Sequence, residues 1–544
     1  MKKILASILA LALVASLAAC SGEQPDDGGS GNNSLSDSNK PEDSGSGDNV
    51  SDDTPGNTVS VEPMEIEKSQ YGNPIAGFDA EGNLTYGGDP SALVVGDTLY
   101  LYVGHDTSPN DTYVIPEYLC YSTKDLKEWT YHGVVLKMSD VSWGDNNSAW
   151  AGQVARHYDE TAGKDMYYLY FCSWDSTDSG KQSIGVAVSD SPTGPFEDIG
   201  QALVKGSFTT GESSGWNDID PTVWIENDED GVEHRYLAWG NGKFYICELN
   251  EDMVSVKDYD GDGEITFGGD VLEKVAPSSF TEAPWLYRRQ DESGNYYGDY
   301  YLFYASHWRE RMSYATASDL MKSTFYYEDT IMQPSVTSNT NHMAVVDFLG
   351  KTWFIYHNGS LPGGSGFRRV ACIAEVKIDD DGYIDYIEEL AAGPFGTAST
   401  LTAQNGEVLA HAPFTNSGAD DQYPYKDVAL GSDFDKLSKL DTQWEIVAGK
   451  ASPDDVYTVS LESNNKPGLY ITVNDDGNVV LCQDHNNKMS EAQTFRTVTG
   501  LSGQGVSFES VAQPGKYLTL SGGSLTLTDG SSADAASFTV AKVE

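Results

Sequence analysis

From Tyr71 onward, short runs rich in Tyr, Val, Trp and Phe alternate with turns of Gly, Asn, Asp and Ser. Thr98-Leu-Tyr-Leu-Tyr-Val103, Met166-Tyr-Tyr-Leu-Tyr-Phe171, Tyr236-Leu-Ala-Trp239, Tyr300-Tyr-Leu-Phe-Tyr304 and Thr352-Trp-Phe-Ile-Tyr356 have the length and aromatic content of strands. No long stretch carries helical periodicity, so an all-β domain is predicted. A phrase also recurs: Leu119-Cys-Tyr-Ser-Thr-Lys-Asp-Leu126 echoes Ser183-Ile-Gly-Val-Ala-Val-Ser-Asp190, and both echo Met312-Ser-Tyr-Ala-Thr-Ala-Ser-Asp319. About five such units favour the blades of a β-propeller over one large β-sandwich.

Past about Gly396 the texture changes. Trp444, Phe495 and Phe538 open similar short runs. Between them, Val459-Ser-Leu-Glu-Ser-Asn-Asn-Lys-Pro-Gly-Leu-Tyr470 matches Val506-Ser-Phe-Glu-Ser-Val-Ala-Gln-Pro-Gly-Lys-Tyr517. Two clear repeats and a blurred one before Trp444 predict a three-fold β-trefoil. At the other end, Lys2 and Lys3 precede an apolar run, Ile4 to Leu17, that is too short to span a bilayer and ends in Leu17-Ala18-Ala19-Cys20. This is a signal peptide over residues 1–19, and its last residues resemble a bacterial lipobox with Cys20 as the lipidated residue. Residues 20–66 are read as a disordered acidic Gly/Ser linker, 67–395 as a five-bladed propeller that carries catalysis, and 396–544 as the trefoil. The expected location is the outer face of a bacterial cell membrane, with a monomer held by its lipid.

Charge narrows the substrate. A formal net charge of −50 disfavours nucleic acid and anionic polymers such as pectate, and leaves neutral sugars as a fitting partner. Cys120, Cys172, Cys247, Cys372 and Cys482 are scattered with no metal spacing, and Cys120, Cys172 and Cys372, inside apolar strand-like runs, read as buried small hydrophobes.

Three acids stand in apolar or aromatic settings beside Pro: Asp89 in Gly-Gly-Asp-Pro, Asp220 in Ile-Asp-Pro, and Glu282 in Thr-Glu-Ala-Pro-Trp. Each opens a predicted strand. In a propeller the starts of the inner strands converge on the axis, so these distant carboxylates would meet in one funnel. Glycoside hydrolysis requires such a meeting: one acid protonates the leaving oxygen while another carboxylate activates water or attacks carbon. A third carboxylate raises the pKa of the acid by like-charge repulsion. Trp143, Trp150, Trp216, Trp285 and Trp308 are candidates for stacking on sugar faces.

Gly-Gly-Asp89-Pro, Tyr121-Ser-Thr-Lys-Asp-Leu-Lys-Glu-Trp129, Trp150-Ala-Gly, Ser189-Asp-Ser-Pro-Thr-Gly-Pro-Phe196, Ile219-Asp220-Pro, Glu282-Ala-Pro-Trp and Asn341-His342 before Trp353-Phe-Ile-Tyr-His357 occur in an order that resembles glycoside hydrolase family 43. The resemblance covers about residues 70 to 392. It implies a five-bladed propeller and an inverting mechanism. Asp89 would be the general base, Glu282 the general acid and Asp220 the carboxylate that tunes that acid. Asp218, two residues earlier, is the rival for the tuning role. Inversion implies carboxyls of base and acid about 6.5–9.5 Å apart. The substrate-binding set is Trp150, Trp216, Trp285, His342 and Arg368, with Arg369 as the neighbour of Arg368 that could serve instead.

The resemblance requires no cofactor. It does place His342 where a structural Ca2+ can sit on the propeller axis, although calcium prefers oxygen ligands. Asp258-Tyr-Asp-Gly-Asp-Gly-Glu-Ile265 imitates half of a calcium loop, but Gly269 stands where an EF-hand needs Glu. The C-terminal repeats resemble the arabinose-binding domain of arabinofuranosidase B. Val473 and Ser521 stand where the binding His is expected, while Glu491 and Asp534 partly keep the acidic position. Together these features predict release of terminal α-L-arabinofuranose from hemicellulose such as arabinoxylan or arabinan. The alternatives are a β-xylosidase acting on xylo-oligosaccharides and a carbohydrate-binding lipoprotein without turnover.

Overall fold

Each of the five aromatic runs becomes the second strand of an antiparallel sheet. The computed structural model describes residues 61–209, 215–291, 293–414 and 427–543. The signal peptide, Cys20 and most of the linker lie outside the described residues. Blade I is Gly87–Val95, Thr98–His105, Glu117–Thr123 and Thr130–Lys137. Blade II is Gln153–Asp159, Lys164–Asp175, Lys181–Ser189 and Glu197–Asp198. Blade III is Thr222–Asn227, Glu233–Trp239, Phe244–Glu248 and Val271–Lys274. Blade IV is Phe280–Gln290, Tyr296–Ser306, Arg311–Ala317 and Tyr326–Met332, and blade V is Ala344–Phe348, Lys351–Asn358 and Val370–Val376. A second strand is covered on both faces by neighbouring blades, so it reads as an unbroken apolar run rather than an alternating one. Leu302, Phe303 and Tyr304, for example, are all fully buried.

The ring closes through its own beginning. Ala76 bridges Ala371 in blade V, and the Asn73 side chain bonds both the carbonyl and the N–H of Ile373 at 3.1 and 2.8 Å. First strands of adjacent blades lie side by side around the axis. Trp285, Phe303, Tyr314 and Phe354 fill the space where blades IV and V meet blade I. Among the described residues the five cysteines are free and buried. Among the described residues no helix is long and apolar enough to cross a membrane.

The C-terminal region is a closed six-stranded barrel of Ala398–Ala403, Trp444–Ala448, Thr458–Ser463, Phe495–Thr499, Val506–Ser510 and Phe538–Lys542. Three hairpins decorate it: Ala410–His411 with Val428–Gly431, Leu469–Val473 with Val479–Gln483, and Tyr517–Ser521 with Ser524–Thr528. This is a trefoil-like arrangement. Trp444, Phe495 and Phe538, the residues that marked the repeat in sequence, are buried in its core.

The expected linker to residue 66 ends sooner. Met64 donates its N–H to Thr497 at 3.0 Å, Thr499 donates to Glu62 at 2.8 Å, and Met64 and Ile66 pack on the barrel core. Two apolar side chains and a run of backbone partners are enough to order a segment whose composition suggested none. The barrel also holds a propeller loop. Gln483 donates its side-chain amide to Gly359 and Gly364 at 2.7 and 3.1 Å, and Gly363 donates to Asp484 at 2.7 Å.

Candidate active site

Asp89, Asp220 and Glu282 line one pocket on the propeller axis, in company with Tyr113, Trp150, Trp216, Thr340, His342 and Arg369. The local backbone explains how. Asp89, Asp220 and Ala283 have φ of 52°, 59° and 57°, a left-handed conformation that is rare outside Gly, and each immediately precedes Pro. The strand register shifts beside two of them, between Gly88 and Ser91 and between Glu282 and Trp285. Such a bulge re-aims a side chain that regular pleating would send between the blades. The recurring acid-Pro and Ala-Pro phrases are thus the sequence trace of one repeated kink.

The carboxyls sit in opposite electrostatic settings. Arg369 Nη1 donates to Asp89 Oδ1 at 2.6 Å, and Arg369 also forks onto Asp106 at 2.9 and 3.0 Å. The Asp89 N–H donates to His357 Nδ1 at 3.1 Å, while His357 Nε2 meets the Thr340 carbonyl at 2.9 Å, which fixes a neutral tautomer. Burial alone would raise Asp89; the guanidinium outweighs it and holds the carboxyl below its ordinary range. Asp220 accepts the Ala283 N–H at 2.9 Å, yet burial and then the charges of Glu282 and Asp89 push it well above the ordinary value. Glu282 accepts from Asn241 Nδ2 at 2.5 Å and shares a hydrogen bond with Glu310, and burial followed by Asp89 leaves it raised.

Of the aromatic candidates, Trp150 and Trp216 line the pocket and stack on each other at 5.1 Å and 29°. Trp216 is 48% exposed, a face open to a ligand at the mouth. Trp285 does not belong with them. Its indole is buried among blades IV and V and donates to the Val345 carbonyl at 3.0 Å, because after the bulge at Glu282 the strand resumes pleating and turns this residue into the core. Trp143 is likewise core, stacked on Phe171. Trp308 is exposed in the turn that precedes Glu310.

Arg368 is also displaced from the site. It bonds the carbonyls of Gly363, Ser108 and His485, outside the pocket, and its neighbour Arg369 takes the inward position. Successive side chains entering a strand point to opposite sides, so only one of the pair can reach Asp89. Asp218 points into blade III, where it accepts from Trp239 Nε1 at 2.7 Å and Thr209 Oγ1 at 2.8 Å. Burial pushes it up to about 7. The kink at Asp220 breaks the alternation that would have put the two aspartates on one face.

His342 lines the pocket, and burial lowers it to about 4, so it is neutral at neutral pH. Its surroundings do not fit calcium, which takes six to eight oxygen ligands. The nearest charges on it are Asp89, which Arg369 already binds, and the Arg369 guanidinium, which repels a cation. Among the described residues the one grouping of ligating side chains is Asp258, Asp260 and Asp262, on a largely exposed hairpin where they cap backbone N–H groups.

Asp106, Asn241, His357 and Glu310 complete the site without having been singled out in sequence. His357 ends a quoted motif, but the others lie in loops with no distinctive phrase.

Residues 83–384 match the glycosyl hydrolases family 43, and residues 417–540 match the alpha-L-arabinofuranosidase B (ABFB) domain. A xylosidase/arabinosidase of Bacteroides ovatus is 30% identical over 345 residues, covering 56% of this chain and 95% of the relative. An arabinoxylan arabinofuranohydrolase of Paenibacillus polymyxa is 27% identical over 52% of this chain and 47% of its own. Among solved structures, a β-xylosidase/α-arabinofuranosidase from a compost microbial metagenome, with xylotriose and calcium-free, aligns with a TM-score of 0.46 at 27% identity, covering 59% of this chain and 98% of that one. With five blades, three converging acids and a family match that spans more than half its length, the chain belongs to glycosyl hydrolases family 43.

Proposed function

We propose that the protein releases terminal α-L-arabinofuranose from arabinoxylan or arabinan side chains with inversion at the anomeric carbon. The observation that carries this reading is the pairing, within one pocket, of a carboxylate held below its ordinary range by Arg369 and a carboxyl pushed above its ordinary range by burial and like charge. Asp89 removes a proton from a water molecule as that water attacks the anomeric carbon. Glu282 gives its proton to the departing glycosidic oxygen as the bond breaks. Asp220 lies beside Glu282, and burial with the charges of Glu282 and Asp89 pushes it toward its protonated form. Trp150 and Trp216 supply an apolar wall for a sugar face.

The choice of sugar rests on the relatives named for arabinose and on the C-terminal match to the arabinofuranosidase B domain. A β-xylosidase is the second reading, favoured by relatives that carry both names. Initial rates on aryl α-L-arabinofuranoside and aryl β-D-xyloside decide between them, and proton NMR of the nascent sugar reports its anomer. Faster turnover of the arabinofuranoside with β-arabinose as first product is expected. Preference for the xyloside would transfer the assignment to xylosidase, and an unchanged anomer would end the inverting mechanism.

A further inference from the structure

Glu310 is a buried carboxyl to which the mechanism above gives no role. It stands in the turn between Tyr296–Ser306 and Arg311–Ala317 of blade IV and is 2% exposed. One of its oxygens, Oε2, accepts the Asn341 N–H at 2.7 Å. Its side chain is also in hydrogen-bond contact with Glu282. Two carboxyls in that relation need a proton between them, since two bare carboxylates would only repel. Oε2 is occupied as an acceptor, which leaves the other carboxyl oxygen for the contact with Glu282.

The charged and titratable groups around Glu310 agree on its state. Glu282 on its own blade and Asp220 from blade III face it. The adjacent Arg309 directs its guanidinium to the carbonyls of Ser335 and Ser338, at 3.0 and 3.2 Å. Arg369, the cation of the pocket, is bound to Asp89 and Asp106. Burial, followed by the charge of Glu282, raises Glu310 well above an ordinary carboxyl.

We propose that Glu310 is a positioning residue for the general acid: it keeps its own proton throughout turnover and donates that O–H to Glu282. The inference rests on Glu282 being the acid. In the reacting step the glycosidic C–O bond breaks and the Glu282 proton goes to the leaving oxygen. Water oxygen bonds the anomeric carbon, and the water proton goes to Asp89. Glu310 neither gains nor loses a proton, but the carboxylate that Glu282 becomes is met by a donor already in place. A preorganised donor aimed at developing charge strengthens as that charge forms.

The test compares Glu310→Gln with Glu310→Met. Gln offers an amide N–H to Glu282 and a carbonyl to Asn341, so it imitates the protonated acid. Met fills the space and donates nothing. With aryl substrates of poor leaving ability, Glu310→Gln is expected to stay within about threefold of wild type. Glu310→Met is expected to lose about 10- to 100-fold in kcat/KM, the scale of one hydrogen bond to a charged group. Its alkaline pH limb should move upward, because Glu282 loses the donor that favours its ionised form. Equal losses in the two variants, or a Met variant with an unmoved limb, would overturn the proposal in favour of a packing role. If the Met variant does not fold, infrared difference spectra of wild type against Glu310→Gln at neutral pH decide the matter. The carbonyl stretch of a protonated carboxyl should vanish with Glu310, and its persistence overturns the assignment. Glu282→Ala serves as the control on the underlying reading. If that variant retains turnover of poor leaving groups, Glu282 is not the acid and the fault lies there.

Discussion

Asp89 and Glu282 are both part-buried carboxyls near the start of inner strands, lining one pocket, and they differ in what stands behind them. Behind Asp89 are Arg369 and two neutral histidines, with the guanidinium anchored in turn by Asp106. Behind Glu282 are Asn241 and two further acids, Asp220 and Glu310. Burial pushes every one of these carboxyls toward its neutral form; at Asp89 the guanidinium outweighs it, and at Glu282 the hydrogen bonds from Asn241 and Glu310 do not. One pocket therefore holds a carboxyl pushed down and a carboxyl pushed up, which is the contrast that the proposed division of labour between base and acid needs.

The strongest way to break this contrast is to remove each carboxyl and vary the leaving group. Asp89→Asn should lose roughly 10²- to 10⁴-fold in kcat/KM with every aryl substrate, because every substrate needs the water activated. Glu282→Ala should lose a similar factor on poor leaving groups and far less on good ones, which need little protonation. Steady-state kinetics across a series of aryl glycosides shows the two slopes. Identical slopes would mean that the two carboxyls do not divide the work as assigned.

Arg369 sharpens the comparison at a smaller scale. The folded-state pKa of Asp89 is depressed, so the base is ionised above its ordinary range and is lost only as pH falls through the depressed value. The raised Glu282 is the mirror case: its proton is present at low pH and is lost as pH rises through the elevated value. Arg369→Lys keeps the charge but loses the fork onto Asp106, and should cost about 10- to 100-fold, the scale of one charge-assisted hydrogen bond. Arg369→Met removes the charge and should carry the acidic limb of the kcat/KM profile to higher pH. It also strands buried Asp106, at about 3–5 kcal/mol of stability, so the Lys variant is the cleaner probe. An acidic limb that stays in place in both variants would disconnect Arg369 from Asp89.

The contrast itself was only half legible in sequence. The three pocket acids could be read because each sits next to a Pro-marked kink that repeats from blade to blade. The propeller could be read because second strands are apolar on both faces. What failed was any step that needed the direction of a side chain. Trp285 shares a phrase with Glu282 but lies beyond the bulge, so pleating turns it into the core. Arg368 and Arg369 are adjacent and chemically identical, and only the entry into the last strand of blade V tells them apart. Glu310 lies in His307-Trp308-Arg309-Glu310, a turn with no repeat partner. It is a neighbour of Glu282 only because strand pairing brings Ser306 opposite Phe280 and Ala305 opposite Glu282. Spacing along a chain does not encode that register.

Asp218 provides the smallest and most selective test, because it is two residues from Asp220 and shares its burial but not its pocket. Its carboxyl is bound by Trp239 and Thr209, with burial lifting it to about 7. An aspartate in an unfolded chain titrates near 3.9. A folded-state pKa above the unfolded one means that the contribution of the group to stability is complete below the unfolded value and is lost as pH rises through about 7. Asn at this position keeps a carbonyl for the Trp239 indole and an amide N–H for Thr209, and it does not ionise. Asp218→Asn should therefore match wild type in Tm only below about pH 4, gain on it as pH rises from about 4 to about 7, and exceed it by about 1–3 kcal/mol of stability at pH 8. Its kcat/KM should stay within about threefold throughout, since it faces blade III and not the sugar. Thermal melts across that pH range, read beside the kinetics of Asp220→Asn, separate the outcomes. A gain that does not depend on pH would deny the titration. A loss of activity as deep as that of Asp220→Asn would return Asp218 to the pocket and dissolve the distinction between the acids that face the axis and the acid that faces the core.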